Sequence, residues 1–207
     1  MRTLVILAGG KSSRMGRDKV LLEIDGETFA EHLYRKASAY FERIIISTDT
    51  QEHAGIIKDL PAFVSSPADA KPEFVVDLYS EKGPIGGIVS VFESTDTEKF
   101  SIISVDVPHA DMQVLSFLYD HCENAAAYLR FEGRKKESLI AAYSRKAYPA
   151  LKAALEAGEY KLRAALSDLP VDIYDPAEAA EGSSFAEASD IKTAFTNFNT
   201  PEDLQDL

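Results

Sequence analysis

A three-layer α/β/α sandwich on a mostly parallel, doubly wound sheet is the fold class this sequence predicts, and three observations predict it. Apolar runs at 2–7, 43–48, 74–77 and 100–106 alternate with amphipathic stretches of helical period, the element order that builds parallel sheets covered by helices. These runs show little polar alternation, as expected of strands buried on both faces. A chain of 207 residues with 45% hydrophobic content can bury such a core as one domain spanning 1–207.

The first strand, Arg2–Leu7, delivers the chain into Ala8-Gly9-Gly10-Lys11-Ser12-Ser13-Arg14-Met15-Gly16-Arg17-Asp18-Lys19. Glycines 9 and 10 permit a tight turn that brings amides close to an anion, and Lys11, Arg14, Arg17 and Lys19 against Asp18 leave a local charge near plus three. Thr28-Phe29-Ala30-Glu31 has the form of a capping box, after which Phe29, Leu33, Ala37 and Phe41 make one apolar helical stripe. Arg43–Thr48 follows as a strand and completes a βαβ unit. The pattern repeats with a strand at Phe74–Asp77, a helix opened by Gly83-Pro84-Ile85-Gly86-Gly87, and a strand at Phe100–Asp106. Asp111 starts a helix that uses Val114, Leu115 and Leu118 and reaches Cys122. Ala125–Phe131 and Ser138–Tyr143 predict two strands around Glu132-Gly133-Arg134, either a hairpin or a paired excursion from the main sheet. Leu151, Ala154 and Leu155 mark a helix that Gly158 can end. Ala, Glu, Ser and Gly dominate from Asp175 to Ser189, a composition that predicts a mobile loop. In a doubly wound sheet the ligand lies at the carboxyl ends of the strands.

Composition narrows the function. A net charge of −12 argues against nucleic acid and against an anionic membrane, which are bound by clustered Lys and Arg on a broad face. Residues 171–207 carry nine acids against Lys192 alone, as a solvated acidic face does. Cys122 is the only cysteine, so no intrachain disulfide can form and the chain suits a reducing compartment. The opening apolar run is too short for a signal peptide and no membrane-length apolar stretch occurs, so a cytoplasmic location is expected. Histidines 32, 53, 109 and 121 show no metal-ligand spacing, and no Ser-His-Asp order is present.

The glycine-rich loop is neither of the two commonest phosphate cradles. A Walker A loop ending at Gly10-Lys11-Ser12 needs a glycine where Val5 stands, and Gly9-Gly10 followed by Gly16 does not supply G-x-G-x-x-G. What remains is L-A-G-G-x-S-x-R-M-G-x-D-K, with ten specified positions over thirteen residues. It resembles the opening signature of the molybdenum cofactor guanylyltransferase family. Further segments extend the likeness over nearly the whole chain: Asp106-Val107-Pro108, Gly83-Pro84-Ile85-Gly86-Gly87, Glu137–Tyr143, Gly158–Leu162, and Phe195-Thr196-Asn197-Phe198-Asn199-Thr200-Pro201-Glu202-Asp203-Leu204. The resemblance implies a Rossmann-like sandwich of the nucleotide-diphospho-sugar transferase type, its N-terminal half holding the nucleotide and its C-terminal half the acceptor.

Residue by residue, Asp106 ends an apolar strand before a rigidifying proline, where a divalent cation and a triphosphate would sit. One carboxylate suffices for Mg²⁺, which takes its other ligands from phosphate and water. The resemblance also makes Asp106 the metal ligand, with Val105 where the family usually has cysteine. Lys19 suits developing phosphate charge, although it could equally pair with Asp18 on the surface. By resemblance Lys19 contacts the phosphates, Arg14 assists, and Leu7, Ala8, Gly9 and Gly10 lie along the nucleotide. Ser47 occupies a nucleotide-contacting position that is often Asn in the family. Asp77 is either a strand-end cap or a reader of guanine, accepting its ring N–H and exocyclic amine together. Asn197 and Asn199, at alternating positions, would share one face of a strand, placed for a pterin or for metal-bound water, with Thr200 and Pro201 starting a helix.

The resemblance thus implies transfer of GMP from GTP to Mo-molybdopterin with release of pyrophosphate, Mg²⁺ as cofactor, and transient contact with a molybdoenzyme or cofactor-insertion protein. Two alternatives stand beside it. One is a related nucleotidyltransferase using CTP on molybdopterin or an NTP on a sugar phosphate. The other is a non-catalytic nucleotide-binding accessory protein, against which the intact Lys19 and Asp106 argue.

Overall fold

The computed structural model describes residues 1–9, 18–68, 70–130, 138–179, 195, 196 and 198. Within them the strands are β1 (Thr3–Leu7), β2 (Glu23–Ile24), β3 (Glu27–Thr28), β4 (Arg43–Thr48), β5 (Glu73–Val76), β6 (Lys99–Ser104), β7 (Ala126–Leu129), β8 (Ala141–Ser144) and β9 (Asp172–Tyr174). The helices are α1 (Phe29–Ala37), α2 (Gln51–Lys58), α3 (Pro61–Ser65), α4 (Pro84–Ser94), α5 (Met112–Asp120), α6 (Tyr148–Glu156), α7 (Leu162–Ala165) and α8 (Pro176–Ala179), and a 3-10 turn spans Lys19–Leu21.

The main sheet runs β5-β4-β1-β6-β8-β7-β9. β1 pairs in parallel with β4 and β6, β4 with β5, and β7 with β9, while β8 alone runs antiparallel to both neighbours. Strand order reverses beside β1, and that reversal is where doubly wound sheets open a crevice for ligand. Alternation along the strands feeds two cores. Leu4, Ile6, Ile44, Ile46 and Ile103 pack with Phe29 and Leu33 of α1 and with Leu115 and Leu118 of α5. Val5, Leu7, Ile45 and Ile102 face the other way, onto Ile85, Ile88 and Phe92 of α4 and Leu151 of α6. The sheet is therefore covered on both faces, and each fully buried branched or aromatic side chain contributes roughly 1.5–3 kcal/mol.

The capping box forms and does more than start α1. Thr28 Oγ1 accepts the Glu31 N–H at 3.3 Å, while Glu31 Oε2 accepts the Thr28 N–H at 3.1 Å and its hydroxyl at 2.7 Å. The second carboxylate oxygen of Glu31 accepts the Ala62 N–H at 2.9 Å, which ties the start of α1 to α3. Burial alone would raise the Glu31 pKa, but the Ala62 and Thr28 donors outweigh it and hold the carboxyl below its usual range.

Several expectations meet their outcome in the sheet. The 125–131 and 138–143 runs form the hairpin, but inside the main sheet rather than as an excursion, with β8 inserted between β6 and β7. Alanines 126, 127, 141 and 142 are wholly buried, and small side chains let helices close over both faces there. Glu132-Gly133-Arg134 lies outside the described residues. Of the expected loop at 175–189, the first part is the short helix α8, whose Ala179 is buried in the core, and 180–189 lies outside the described residues. Asp111 caps α5 by accepting from Gln113 and Val114, and Gly158 follows α6 at φ +80°. Cys122 sits just past α5, where burial pushes its thiol up to about 11 and makes it a poor nucleophile.

Replacing Thr28 with Ala removes a cap and leaves Glu31 short of a donor, so the urea midpoint should fall by the equivalent of about 1 kcal/mol with an unchanged slope.

Candidate active site

The parallel ladder continues past the ends of its strands. Ala8 N–H donates to Ser47 O at 2.8 Å, Val105 N–H to Leu7 O at 3.0 Å, and Asp77 N–H to Thr48 O at 2.8 Å. Leu7 is in register with Ser47 on one side and Ser104 on the other. Four chain segments therefore end at one level, beneath a cleft of ≈ 430 Å³ whose walls include Leu7, Gly9, Ser47, Asp49, Asp77, Gly87 and Leu139. A wider adjoining cleft shares Pro84 and Leu139 and carries Tyr160, Lys161 and Arg163.

Two glycines keep the first cleft open. A Cβ on Gly9 would come within 2.9 Å of the Asp49 nitrogen, so the chain can pass β4 only without a side chain. A Cβ on Gly87 would lie 3.1 Å from Leu7 Cδ2, 3.2 Å from Ser47 Oγ and 3.3 Å from Asp77 Oδ1, filling the space between them. The buried Ser90 secures the loop ahead of α4, accepting the Leu78 N–H at 2.8 Å while donating to Gly86 O at 2.7 Å.

Asp77 and Ser47 act as a pair, with Ser47 Oγ donating to Asp77 Oδ1 at 2.9 Å. Burial raises the Asp77 pKa to about 6, the Ser47 hydroxyl partly offsets it, and the nearby charge of Asp49 adds to the rise. A desolvated carboxylate in a cleft is poised to take a donor from a ligand.

Asp106 lies two residues beyond β6 and is buried. Its Oδ2 accepts from Lys19 Nζ at 2.6 Å, and its main-chain carbonyl accepts the Phe198 N–H at 2.8 Å. Its Oδ1 is buried with no hydrogen-bond partner among the described residues, a state that normally carries a free-energy cost and is tolerated where a cation or ligand completes it. Lys19 is placed by its own 3-10 turn, capped by Asp18 through the Val20 N–H at 3.1 Å. The expected alternative, Lys19 paired with Asp18, gives way to the pair with Asp106, and Asp18 turns to His53 instead.

Leu7, Gly9, Ser47 and Asp77 meet around one cleft, and Lys19 meets Asp106. Ala8 does not line the cleft, because its methyl packs in the core and its N–H is engaged by Ser47. Gly10, Arg14, Asn197 and Asn199 lie outside the described residues, as do Thr200 and Pro201. Phe198, between the two asparagines in sequence, is buried edge-on against Phe29 at 6.0 Å. Asp49 and His53 escaped the sequence reading. The only local signal was Thr50, an N-cap that accepts the His53 N–H and starts α2.

Comparison with known proteins finds the same family and the same fold. A family model described as a MobA-like NTP transferase domain matches residues 4–173. The chain is similar to a probable molybdenum cofactor guanylyltransferase of Flavobacterium johnsoniae, 31% identical over 207 residues and covering 99% of this chain and 95% of the relative. One of the same description from Methanosarcina mazei is 27% identical, covering 100% and 89%. Among solved structures, molybdopterin-guanine dinucleotide biosynthesis protein A from Archaeoglobus fulgidus superposes with a TM-score of 0.77 at 23% identity, covering 99% of this chain and 95% of that one.

Because the Ser47 hydroxyl stabilises the ionised form of Asp77, Ser47→Ala should move the Asp77 titration above its wild-type value of about 6. Carboxyl-carbon NMR resolves the direction, and a downward or absent shift would remove Ser47 from the pair.

Proposed function

From the premise that the chain belongs to the MobA-like NTP transferase family, and so is a nucleotidyltransferase, we propose that it transfers GMP from GTP to Mo-molybdopterin. In that reaction the terminal phosphate of molybdopterin attacks the α-phosphorus of GTP, a P–O bond forms, and pyrophosphate leaves. The observation that supports this most is the Lys19–Asp106 pair, whose Asp106 Oδ1 has no hydrogen-bond partner among the described residues, set at the carboxyl ends of the strands beside a cleft containing Asp77.

The roles follow from chemistry. Guanine presents a ring N–H and an exocyclic amine side by side, and the ionised Asp77 can accept both while Ser47 holds it in place. Leu7 and Gly9 line the cleft that would take the nucleoside, and the resemblance adds Ala8 and Gly10 to the nucleotide-binding stretch. Lys19, assisted by Arg14, neutralises charge that builds on the phosphates. The attacking phosphate is already an anion, so no general base is needed, and positioning with charge neutralisation supplies the catalysis. Asp106 fits Mg²⁺: it offers one hard oxygen without a hydrogen-bond partner among the described residues, and Mg²⁺ combines one or two carboxylates with substrate oxygens. When bound there, the cation would draw charge from the transferring phosphate.

The C-terminal half would hold the acceptor. Asn197 and Asn199 flank Phe198, whose N–H is bonded to Asp106 O, and the adjoining cleft offers Lys161 and Arg163 to a phosphorylated ligand. The product would pass by transient contact to a molybdoenzyme or cofactor-insertion protein. No described helix is long and apolar enough to cross a membrane, and a cytoplasmic location is part of the proposal.

With Mg²⁺ present, GTP should raise the melting temperature more than CTP or ATP, since a ligand at a hundredfold its dissociation constant adds about 2.7 kcal/mol. Asp77→Asn should erase the preference for GTP, and a preference that survives it would defeat the guanine assignment. Asp106→Ala should abolish pyrophosphate release with an unchanged far-ultraviolet spectrum, and full turnover in that variant would sink the proposed site. In the wild type, GTP affinity should fall as pH drops through about 6, where Asp77 takes up a proton, by roughly tenfold per unit below it. Calorimetric titration of GTP beside CTP between about pH 5 and 8 reads that slope.

A further inference from the structure

His53, on the first turn of α2, has its imidazole between two carboxylates from different segments. Nδ1 lies 2.9 Å from Asp49 Oδ1, and Nε2 lies 2.9 Å from Asp18 Oδ2. The first contact is a hydrogen bond, while the second is a close ion pair off the hydrogen-bond line. The ring is largely enclosed, with 11% of its side chain exposed. Asp18 caps the turn that presents Lys19, and Asp49 is the first residue after β4, stands against Gly9 and lines the cleft. The imidazole thus spans both ends of the glycine-rich segment: Gly9 through its neighbour Asp49, and Lys19 through its neighbour Asp18.

We propose that His53 is a positioning cation of the nucleotide site, clamping the Lys19 end of the glycine-rich loop to the end of β4 and offsetting part of the charge of two carboxylates beside the phosphates. The proposal rests on the nucleotidyl-transfer function given above. Its electrostatic logic is local. Asp18 and Asp49 sit next to the lysine and the cleft that would receive a polyphosphate, and uncompensated they would repel it and leave the loop end untethered. Among the described residues the charged groups facing the imidazole are Asp18, from the 3-10 turn, and Asp49, from the β4–α2 junction. Asp18, with Asp49, raises the His53 pKa to about 9 against the opposing effect of burial, so the ring is a cation at neutral pH. The clamp is present below that value and is lost as pH rises through it.

Wild type, His53→Gln, Asp49→Asn and the double variant would be titrated calorimetrically with Mg²⁺–GTP and with inorganic tripolyphosphate, which lacks a base. His53→Gln should bind both ligands roughly three- to tenfold more weakly, the scale of a partly screened ion pair, and adding Asp49→Asn should restore most of the loss. Wild-type affinity should decline above about pH 9, with that limb absent from His53→Gln and moved to lower pH in Asp49→Asn, where one of the two carboxylates is neutral. Equal binding by His53→Gln and wild type, or a loss that Asp49→Asn does not restore, overturns the proposal while leaving the nucleotide site intact. If His53→Gln does not fold, an alkaline limb that stays put in Asp49→Asn overturns it instead. A wild-type chain that binds neither ligand defeats the nucleotide site and the role of His53 together.

Discussion

The register of the β4–β1–β6 ladder is the constraint on which the rest depends. With Leu7 level with Ser47 and Ser104, the hydrogen bonds from Ala8 and Val105 extend the ladder one step past the strands. A slip of one residue would exchange the two cores, because Leu4 and Ile6 would trade faces with Val5 and Leu7. It would also turn Ser47 away from Asp77 and carry Leu7 off the wall shared with Gly87. The apolar pattern that folds the sheet is thus the same pattern that aims the polar groups, and neither can change without the other.

On that frame the charges are arranged against the chain's overall balance. A protein with a net charge of −12 must admit an anion through local placement alone. Lys19 is held at 2.6 Å from Asp106 with 19% and 13% of the two side chains exposed, which keeps a partly desolvated cation in position before any ligand arrives. Desolvating such a pair can cost as much as the attraction returns, so the pair is weak evidence of a stabilising role. Asp106 is also fixed from behind, through its carbonyl, by Phe198. Phe198 therefore holds the backbone of the same residue whose carboxylate Lys19 engages.

Much of this was legible in the sequence because it is local. The apolar runs, the Thr28–Glu31 capping box, the Asp111 cap and Gly158 each declare themselves within a few residues, and each recurs in the fold. Helices α2 and α3 went unread although Thr50 and Pro61 stand at their starts. The turn between β2 and β3 was passed over despite Asp25-Gly26, both at positive φ as a type I′ hairpin requires. What no local pattern could give is pairing across distance. The partner of Lys19 is 87 residues away, and the hydroxyl that holds Asp77 is 30 residues away. His53 reads as an ordinary helix residue until the end of the glycine-rich loop docks against it.

Val105 shows how that geometry separates chemistry from packing within one motif. The resembling family usually carries cysteine immediately before its metal-binding aspartate, a position where a thiol invites thoughts of metal ligation or nucleophilic attack. Here Ser104 lines the cleft while Val105 is 5% exposed and belongs to the core that includes Ile103 and Val107. Its main-chain N–H continues the ladder to Leu7 O. The side chain at 105 therefore packs in the interior on the α1 and α5 side of the sheet, where valine and cysteine are both small apolar fillers. The position asks for volume and β-branched or compact shape, not for sulfur.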